Sequence, residues 1–209
     1  MKNTSPRSIT GRIALLANAA ALALAIVLPQ AAYAEQIQPP AVPENLVVDE
    51  GYEPFLLGHA TGTQNYVCKP KGEGFAYVLF TPQATLFKKS GKQLTTHFFS
   101  PNPDENGTVR PAWQHSRDTS TVWGVVMEGD SSTDKRFVAE GAIPWLLVTV
   151  VGDEEGPGGG EALTDAKFIH RVNTAGGLPP SSGCSSLPDV GRTAFVPYTT
   201  DYIFYREEN

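Results

Sequence analysis

The chain has 209 residues, with 16 basic and 22 acidic side chains, a net charge of −6 and a sequence pI near 5.2. Nucleic acids and anionic membranes bind proteins through clustered lysine and arginine side chains, so this acidic balance argues against both as partners. The length suits a single domain with a substantial hydrophobic core.

The first 34 residues have the features of a cleavable secretory signal peptide. Three basic residues stand among the first 12, and an almost wholly apolar run covers residues 13–28. Ala32-Tyr33-Ala34 then matches the small-x-small pattern that signal peptidase cleaves. The run is shorter than the roughly 20 residues needed to span a bilayer, which disfavours the alternative of a membrane anchor. The sequence therefore predicts an exported protein, periplasmic or extracellular, that begins at Glu35 and has no membrane span in its mature part.

The predicted mature chain retains 13 basic and 22 acidic residues, so its net charge is −9. Residues 35–45 contain three prolines and are predicted to form an extended leader, because proline and the residue before it disfavour helix. Residues 46–209 are predicted to form a single β-rich domain, since aromatic, β-branched, proline and glycine residues are frequent there.

Nine segments of this domain read as strands, and several alternate between two faces with the period of two that half-buried strands require. We therefore predict an all-β fold, a single sandwich or barrel-like domain of about eight to ten strands with one disulfide. Long irregular loops are predicted at residues 100–120, 152–164 and 174–192. The predicted strands are Phe55–His59, Thr63–Cys68, Phe75–Phe80, Ala84–Phe87, Leu94–Phe99, Thr121–Glu128, Trp145–Val151, Lys167–Asn173 and Ala194–Tyr205.

Cys68 and Cys184 are the two cysteines of the sequence. An oxidising compartment allows such a pair to persist as a disulfide. The bridge would close a loop of roughly 116 residues, which the chain-entropy model values at about 4–5 kcal/mol as an upper limit. Free thiols or half of a metal site are the alternatives, and they are disfavoured because neither cysteine has a CxxC partner or a histidine at ligand spacing.

An ordered series of short motifs resembles a known family. The motifs are Gly62–Cys68, Thr81–Phe87, Thr96-His97, Ile143–Leu147, Arg171–Gly177, Cys184, Val196–Tyr198 and Asp201–Tyr205. From about residue 43 to residue 205 the chain resembles domain of unknown function 3455, a family of exported bacterial and fungal proteins. The resemblance implies export, a single β-rich domain and pairing of the two cysteines, and it implies no established activity. Some fungal relatives carry a dehydrogenase label, but this chain lacks the G-x-G-x-x-G motif that a dinucleotide site needs.

Candidate ligand contacts lie on or near the predicted loop at residues 100–120. His97 leads into this loop and Trp113 and His115 lie in it, so the three are predicted to share one end of the fold. Gln64 and Tyr66, on one face of a predicted strand, complete the candidates. The alternatives without a ligand are a half-buried histidine satisfied by one hydrogen bond and aromatic side chains that fill a sheet core.

We interpret the sequence as a non-enzymatic module of the cell envelope or extracellular space that binds an unidentified small molecule, a glycan or an envelope protein. The first alternative is a hydrolase or other small-molecule enzyme with a site near His97. The second is a metal-binding protein that uses two or more histidines. No catalytic residue or metal ligand is assigned and no cofactor is expected, because no H-x-H, H-E-x-x-H or G-x-S-x-G pattern occurs.

Overall fold

The computed structural model describes residues 1–3 and 36–208. The chain divides into two compact units, Met1–Glu35 and Gln36–Asn209, and all the described strands belong to the second. The predicted signal peptide, apart from its first three residues, and its cleavage site lie outside the described residues. Among the residues that are described, no helix has the length and apolar character needed to cross a bilayer.

Nine strands form one sheet in which every neighbouring pair is antiparallel, as expected where β-branched and aromatic side chains alternate between two faces. Three short 3-10 turns, Glu44–Leu46, Pro103–Glu105 and Leu187–Asp189, lie between or before the strands. The strands are β1 (Tyr52–Lys71), β2 (Gly74–Phe87), β3 (Gln93–Asn102), β4 (Thr108–His115), β5 (Thr121–Val125), β6 (Ser131–Ser132), β7 (Trp145–Glu154), β8 (Phe168–Gly176) and β9 (Thr193–Glu207).

The sheet closes into an eight-stranded barrel. Strands β1 to β5 pair in sequence order, β5 pairs with β7, β7 to β9 pair in order, and β9 returns to β1. The two-residue β6 pairs with the first residues of β7 and is the additional strand. This up-and-down topology confirms the predicted all-β, barrel-like fold of eight to ten strands.

Strand β1 runs without interruption through residues 60–62, which separate the predicted strands Phe55–His59 and Thr63–Cys68. Gly62 pairs with Ala84 of β2 and with Tyr198 of β9. A Cβ atom at this position would collide with the backbone of Gln83 and Ala84. The glycine therefore permits a close approach between two strands and does not mark a turn.

The loop predicted at residues 100–120 is also wrong, because strands occupy most of that segment. Strand β3 continues to Asn102 and β4 begins at Thr108. The Asn102 side chain accepts a hydrogen bond from the Asp104 backbone N–H and donates to the carboxylate of Glu105 and to the carbonyl of Val151. These hydrogen bonds stabilise a short connection between β3 and β4, where the sequence predicted a long loop.

Two apolar clusters lie on opposite faces of the barrel wall. Inside the barrel, Leu86, Ile169 and Phe204 are fully buried. Outside, the leader and residues 137–145 pack on β7, β8 and β9, and Leu46 is their fully buried anchor. The predicted extended leader is thus part of the packed domain over its described residues.

Cys68 and Cys184 form a disulfide with a Cα–Cα distance of 5.5 Å, which confirms the predicted pairing. The bridge joins the end of β1 to the irregular segment between β8 and β9. The same segment returns to β1 through hydrogen bonds between Cys68 N–H and the Arg192 carbonyl (2.8 Å) and between Gly191 N–H and the Cys68 carbonyl (3.0 Å). The segment is therefore fastened at the barrel end toward which β1 runs.

Candidate functional site

The barrel interior is not filled at one end, where a cavity of about 130 Å³ remains. Its floor is formed by His97 on β3, Trp113 on β4, Val148 on β7 and Tyr202 on β9. These side chains are all nearly inaccessible to solvent, and Trp113 and Tyr202 are only 1% exposed. The floor is thus an apolar and aromatic surface beneath an open mouth.

The mouth of the cavity is formed by the next inward-facing residue along the same strands. Successive inward positions are two residues apart, so Phe99 follows His97 and Pro111 precedes Trp113. By the same alternation, Leu146 precedes Val148 on β7. The three mouth residues Phe99, Pro111 and Leu146 are partly exposed. The cavity therefore opens toward solvent on the side of Phe99, Pro111 and Leu146.

His97 and Trp113 are directly opposite each other on neighbouring strands, and their rings stack with centroids 4.3 Å apart and an interplanar angle of 14°. The Tyr202 ring lies 5.1 Å from His97 and meets Trp113 edge-on at 5.4 Å. Offset stacking and edge-to-face contacts of this kind stabilise aromatic clusters. The cluster gives the floor of the cavity a rigid shape.

The imidazole of His97 is neutral at physiological pH. Its Nδ1 is 2.9 Å from the carbonyl oxygen of Ala112, and because a carbonyl only accepts, Nδ1 carries the proton and Nε2 is an acceptor. Burial lowers the pKa of His97 to about 3, a shift that the bond to Ala112 opposes and the charge of Arg171 increases. With no carboxylate among its described contacts, His97 is an unsuitable acid or base near neutrality.

Three polar atoms of residues in the cavity wall lack a hydrogen-bond partner among the described residues. They are Nε2 of Gln64, whose side chain is 2% exposed, the indole Nε1 of Trp113 and the hydroxyl of Tyr202. Buried polar groups in native proteins are almost always paired, because an unpaired donor pays its full desolvation cost. All three residues line the cavity, but these polar atoms themselves are buried in its wall.

Arg171 contributes the one positive charge among the residues that line this cavity. Its Nε and Nη2 donate to the Pro144 carbonyl at 3.1 and 2.8 Å. No carboxylate of the described residues lies within ion-pair distance of it. Burial raises the pKa of Tyr66 and Tyr202, and the charge of Arg171 opposes the rise in both, which places this charge next to the barrel interior.

The structure brings together three of the five predicted ligand contacts. His97, Trp113 and Gln64 line the cavity, although Trp113 is buried in β4 and does not lie in a surface loop as predicted. Tyr66 does not line it, and its hydroxyl instead donates to the carbonyl of Gly177 at 2.6 Å. His115 is also absent from the cavity wall.

His115 belongs to a separate cluster at the end of β4. Its Nδ1 lies 2.8 Å from Asp118 Oδ1, and the same oxygen accepts from the hydroxyl of Ser120 at 2.8 Å. Asp118 Oδ2 accepts from the backbone N–H of Ala162, and Leu163 beyond it is fully buried in the interior core. Burial alone would raise the pKa of Asp118, but the bonds from Ala162, Ser120 and His115 outweigh it and lower the pKa to about 2. This cluster fastens the segment that closes the other end of the barrel.

Sequence analysis missed Arg171, Tyr202 and the apolar mouth. Tyr202 lies in the core, and its contact with the cavity depends on strand pairing. The run Ile169-His170-Arg171-Val172 shows alternation without showing which face is inward. The pairing of Arg171 with Leu146 and Tyr202 resolves the face and is visible only in three dimensions.

A larger groove of about 560 Å³ crosses the outer surface of β1, β2 and β3. Threonine hydroxyls and Gln83 form much of its wall, including Thr61, Thr85 and Thr96. These side chains are at least partly exposed and thus already solvated. Size favours this groove, but the buried aromatic floor and the charge of Arg171 favour the interior cavity as the site of recognition.

The histidines do not gather into a metal centre. Within residues 1–3 and 36–208, no group of three or more histidine, cysteine, aspartate or glutamate side chains is arranged to hold a metal ion. His59 contacts Asp201, and His170 lies between the Leu46 carbonyl and the Tyr205 hydroxyl. These contacts have structural roles in the wall of the barrel.

The geometry defines a class of protein, the closed eight-stranded barrel whose interior has room for side chains or for one small ligand. Residues 50–206, most of the chain, match the model of a family described as protein of unknown function, DUF3455. The chain therefore belongs to this family, as its sequence motifs indicated. No curated protein and no solved structure gives a significant match to the chain.

Proposed function

We propose that the mature chain is an exported module that binds one small, largely apolar molecule in the barrel cavity and releases it unchanged. The observation that carries this proposal is the cavity of about 130 Å³ with its rigid aromatic floor. An engineered cavity of about 150 Å³ in another protein accepts benzene, so the predicted ligand has a body of about that size.

Binding without catalysis is favoured by the chemistry of the cavity wall. A general acid or base needs a pKa near the working pH and a partner that orients it. Burial lowers the pKa of His97 to about 3, and Nδ1 is bound to a backbone carbonyl. The alternative of an enzyme with His97 as its acid–base residue therefore receives no support from this site.

Export is supported by two independent features. The first is the signal-peptide pattern of residues 1–34. The second is the disulfide between Cys68 and Cys184, because such bonds persist in oxidising compartments. A barrel exported to the periplasm or medium would meet small molecules from outside the cell, for which a cavity that opens to solvent is suitable.

The proposal is tested by filling the cavity. Leu146 lines the mouth and is only partly buried, so Leu146→Trp should occupy the space without disrupting the fold. Leu187→Trp is the matched control, because Leu187 is 73% exposed and lies outside the cavity wall. Binding of toluene is measured by isothermal titration calorimetry and by methyl NMR shifts of Val148.

We expect the wild-type protein and Leu187→Trp to bind toluene with saturable shifts at Val148, and Leu146→Trp to lose this binding. The far-ultraviolet circular dichroism of both variants should match that of the wild type. Absence of toluene binding by the wild-type protein, or equal binding by both variants, would show that the cavity is not a ligand site.

A further inference from the structure

The charge of Arg171 requires an explanation in a cavity that is otherwise apolar. Its guanidinium donates two of its five N–H groups to an uncharged acceptor, the Pro144 carbonyl, and also interacts with the Tyr202 hydroxyl, which leaves N–H groups for another partner. A partly buried cation without a counter-ion costs desolvation energy that only an anion offsets in full. The remaining groups are thus suited to an anionic partner.

Arg171 is the group of the cavity wall best suited to an anion. His97 Nε2 is an acceptor, the Tyr202 hydroxyl can donate or accept, and the buried nitrogens of Gln64 and Trp113 do not face the cavity. A cation that still has free N–H groups favours an acceptor rich in electron density, and a carboxylate accepts from two such groups at once.

The positions of these groups along the barrel give the ligand a direction. On β8, Arg171 is the next inward-facing residue after Ile169, which is fully buried in the interior. Arg171 also pairs across strands with Leu146, which lies at the mouth of the cavity. The aromatic floor lies deeper. An apolar body would therefore enter first and leave its charged group near the mouth.

We propose that the molecule bound in the cavity is a small carboxylate, with an apolar body on the His97–Trp113 floor and its carboxylate against Arg171. This inference depends on the proposed function, because it names the class of ligand for that same cavity. A carboxylate fits better than a phosphate or sulfate, since those anions need more donors than this largely apolar wall provides.

The test compares benzoate with benzamide, which has nearly the same shape and no charge. Toluene serves as the uncharged apolar probe. Affinities are measured by isothermal titration calorimetry on the wild-type protein, on Arg171→Met and on Arg192→Met. Arg192 is the matched control, because it is 61% exposed, pairs with Asp189 and does not line the cavity.

We expect the wild-type protein to bind benzoate at least about tenfold more tightly than benzamide, as a charge-assisted hydrogen bond provides. Arg171→Met should lose this preference while it still binds toluene, and Arg192→Met should keep it. The preference should also disappear below about pH 4, where a carboxylic acid becomes protonated. The wild-type comparison and its pH dependence do not require any variant to fold.

Equal or weaker binding of benzoate relative to benzamide would overturn the carboxylate inference. Binding of toluene without binding of benzoate would also overturn it and would leave the proposed function intact. Failure of all three probes to bind would overturn the proposed function together with the inference. A preference for benzoate that survives in Arg171→Met would show that another group recognises the charge.

Discussion

Two buried histidines should make the barrel sensitive to mild acid. His97 is 4% exposed and His170 is 2% exposed. Burial lowers the pKa of His97 to about 3, against the opposing bond that its Nδ1 donates to the Ala112 carbonyl. Burial also lowers the pKa of His170, against the opposing bond to the Leu46 carbonyl. In the unfolded chain both side chains would titrate near their ordinary value of about 6.5.

The sign of the effect follows from proton binding. Between the folded and unfolded pKa values the unfolded chain binds more protons, so the free energy of unfolding falls as the pH falls below about 6.5. One pKa unit corresponds to about 1.4 kcal/mol. For His97, the change from pH 7 to pH 5 should therefore cost about 2 kcal/mol, a large part of the 5–15 kcal/mol that is typical of a domain. His170 should add a loss of the same sign.

The assay is equilibrium unfolding in urea at pH 7 and pH 5, with the disulfide intact and tryptophan fluorescence as the signal. His97→Phe removes one titrating group while keeping an aromatic ring against Trp113, so its loss between the two pH values should be about 2 kcal/mol smaller. An imidazole NMR measurement at pH 5 should find His97 still neutral. The reasoning is refuted if the wild-type free energy of unfolding is the same at both pH values, or if His97→Phe has the same pH dependence as the wild type.

Two further predictions concern the closed end of the barrel and export. Asp118→Ala should lower the free energy of unfolding by about 2 kcal/mol, because it leaves the Ser120 hydroxyl and the Ala162 N–H without their charged acceptor. The same variant should increase the rate of amide hydrogen exchange at Ala162 more than at residues of the cavity. Urea titrations and amide exchange measure both effects, and unchanged exchange at Ala162 would contradict the assigned role. The exported protein should begin at Glu35 in mass spectrometry of a periplasmic or culture fraction, and an intact N-terminus there would contradict the predicted cleavage.

The sequence was sufficient to predict the fold class because its signal is local. Alternation with period two and the spacing of the cysteines require only the order of residues. The disulfide and the barrel-like sheet followed from these two observations. The ends of the strands were less predictable, because glycine and proline occur in turns and also within strands. Gly62 and Pro111 both lie within strands, where Gly62 allows a close approach to β2 and Pro111 pairs with Phe99.

The candidate site was only partly predictable because it depends on register. His97 and Gln64 were singled out by residue type, and both line the cavity. His115 has the same residue type as His97 and lies two residues from Trp113, yet it contacts Asp118 at the other end of β4. Which of two histidines reaches a cavity is set by which residues pair across strands, and that information is spread over the whole barrel.

The filling of the barrel explains why a cavity occurs at one end and not at the other. At the closed end, large side chains such as Leu86 and Phe204 meet from facing strands, and Leu163 is added from the segment held by Asp118. At the open end, the cavity wall carries Pro82 on β2 and Pro111 on β4, whose compact rings contribute less volume. An eight-stranded barrel is just wide enough for large side chains to fill, so smaller residues at inward positions leave unfilled space. The cavity therefore follows from the choice of residues on β2 and β4, and larger apolar residues there would close it without any change in topology.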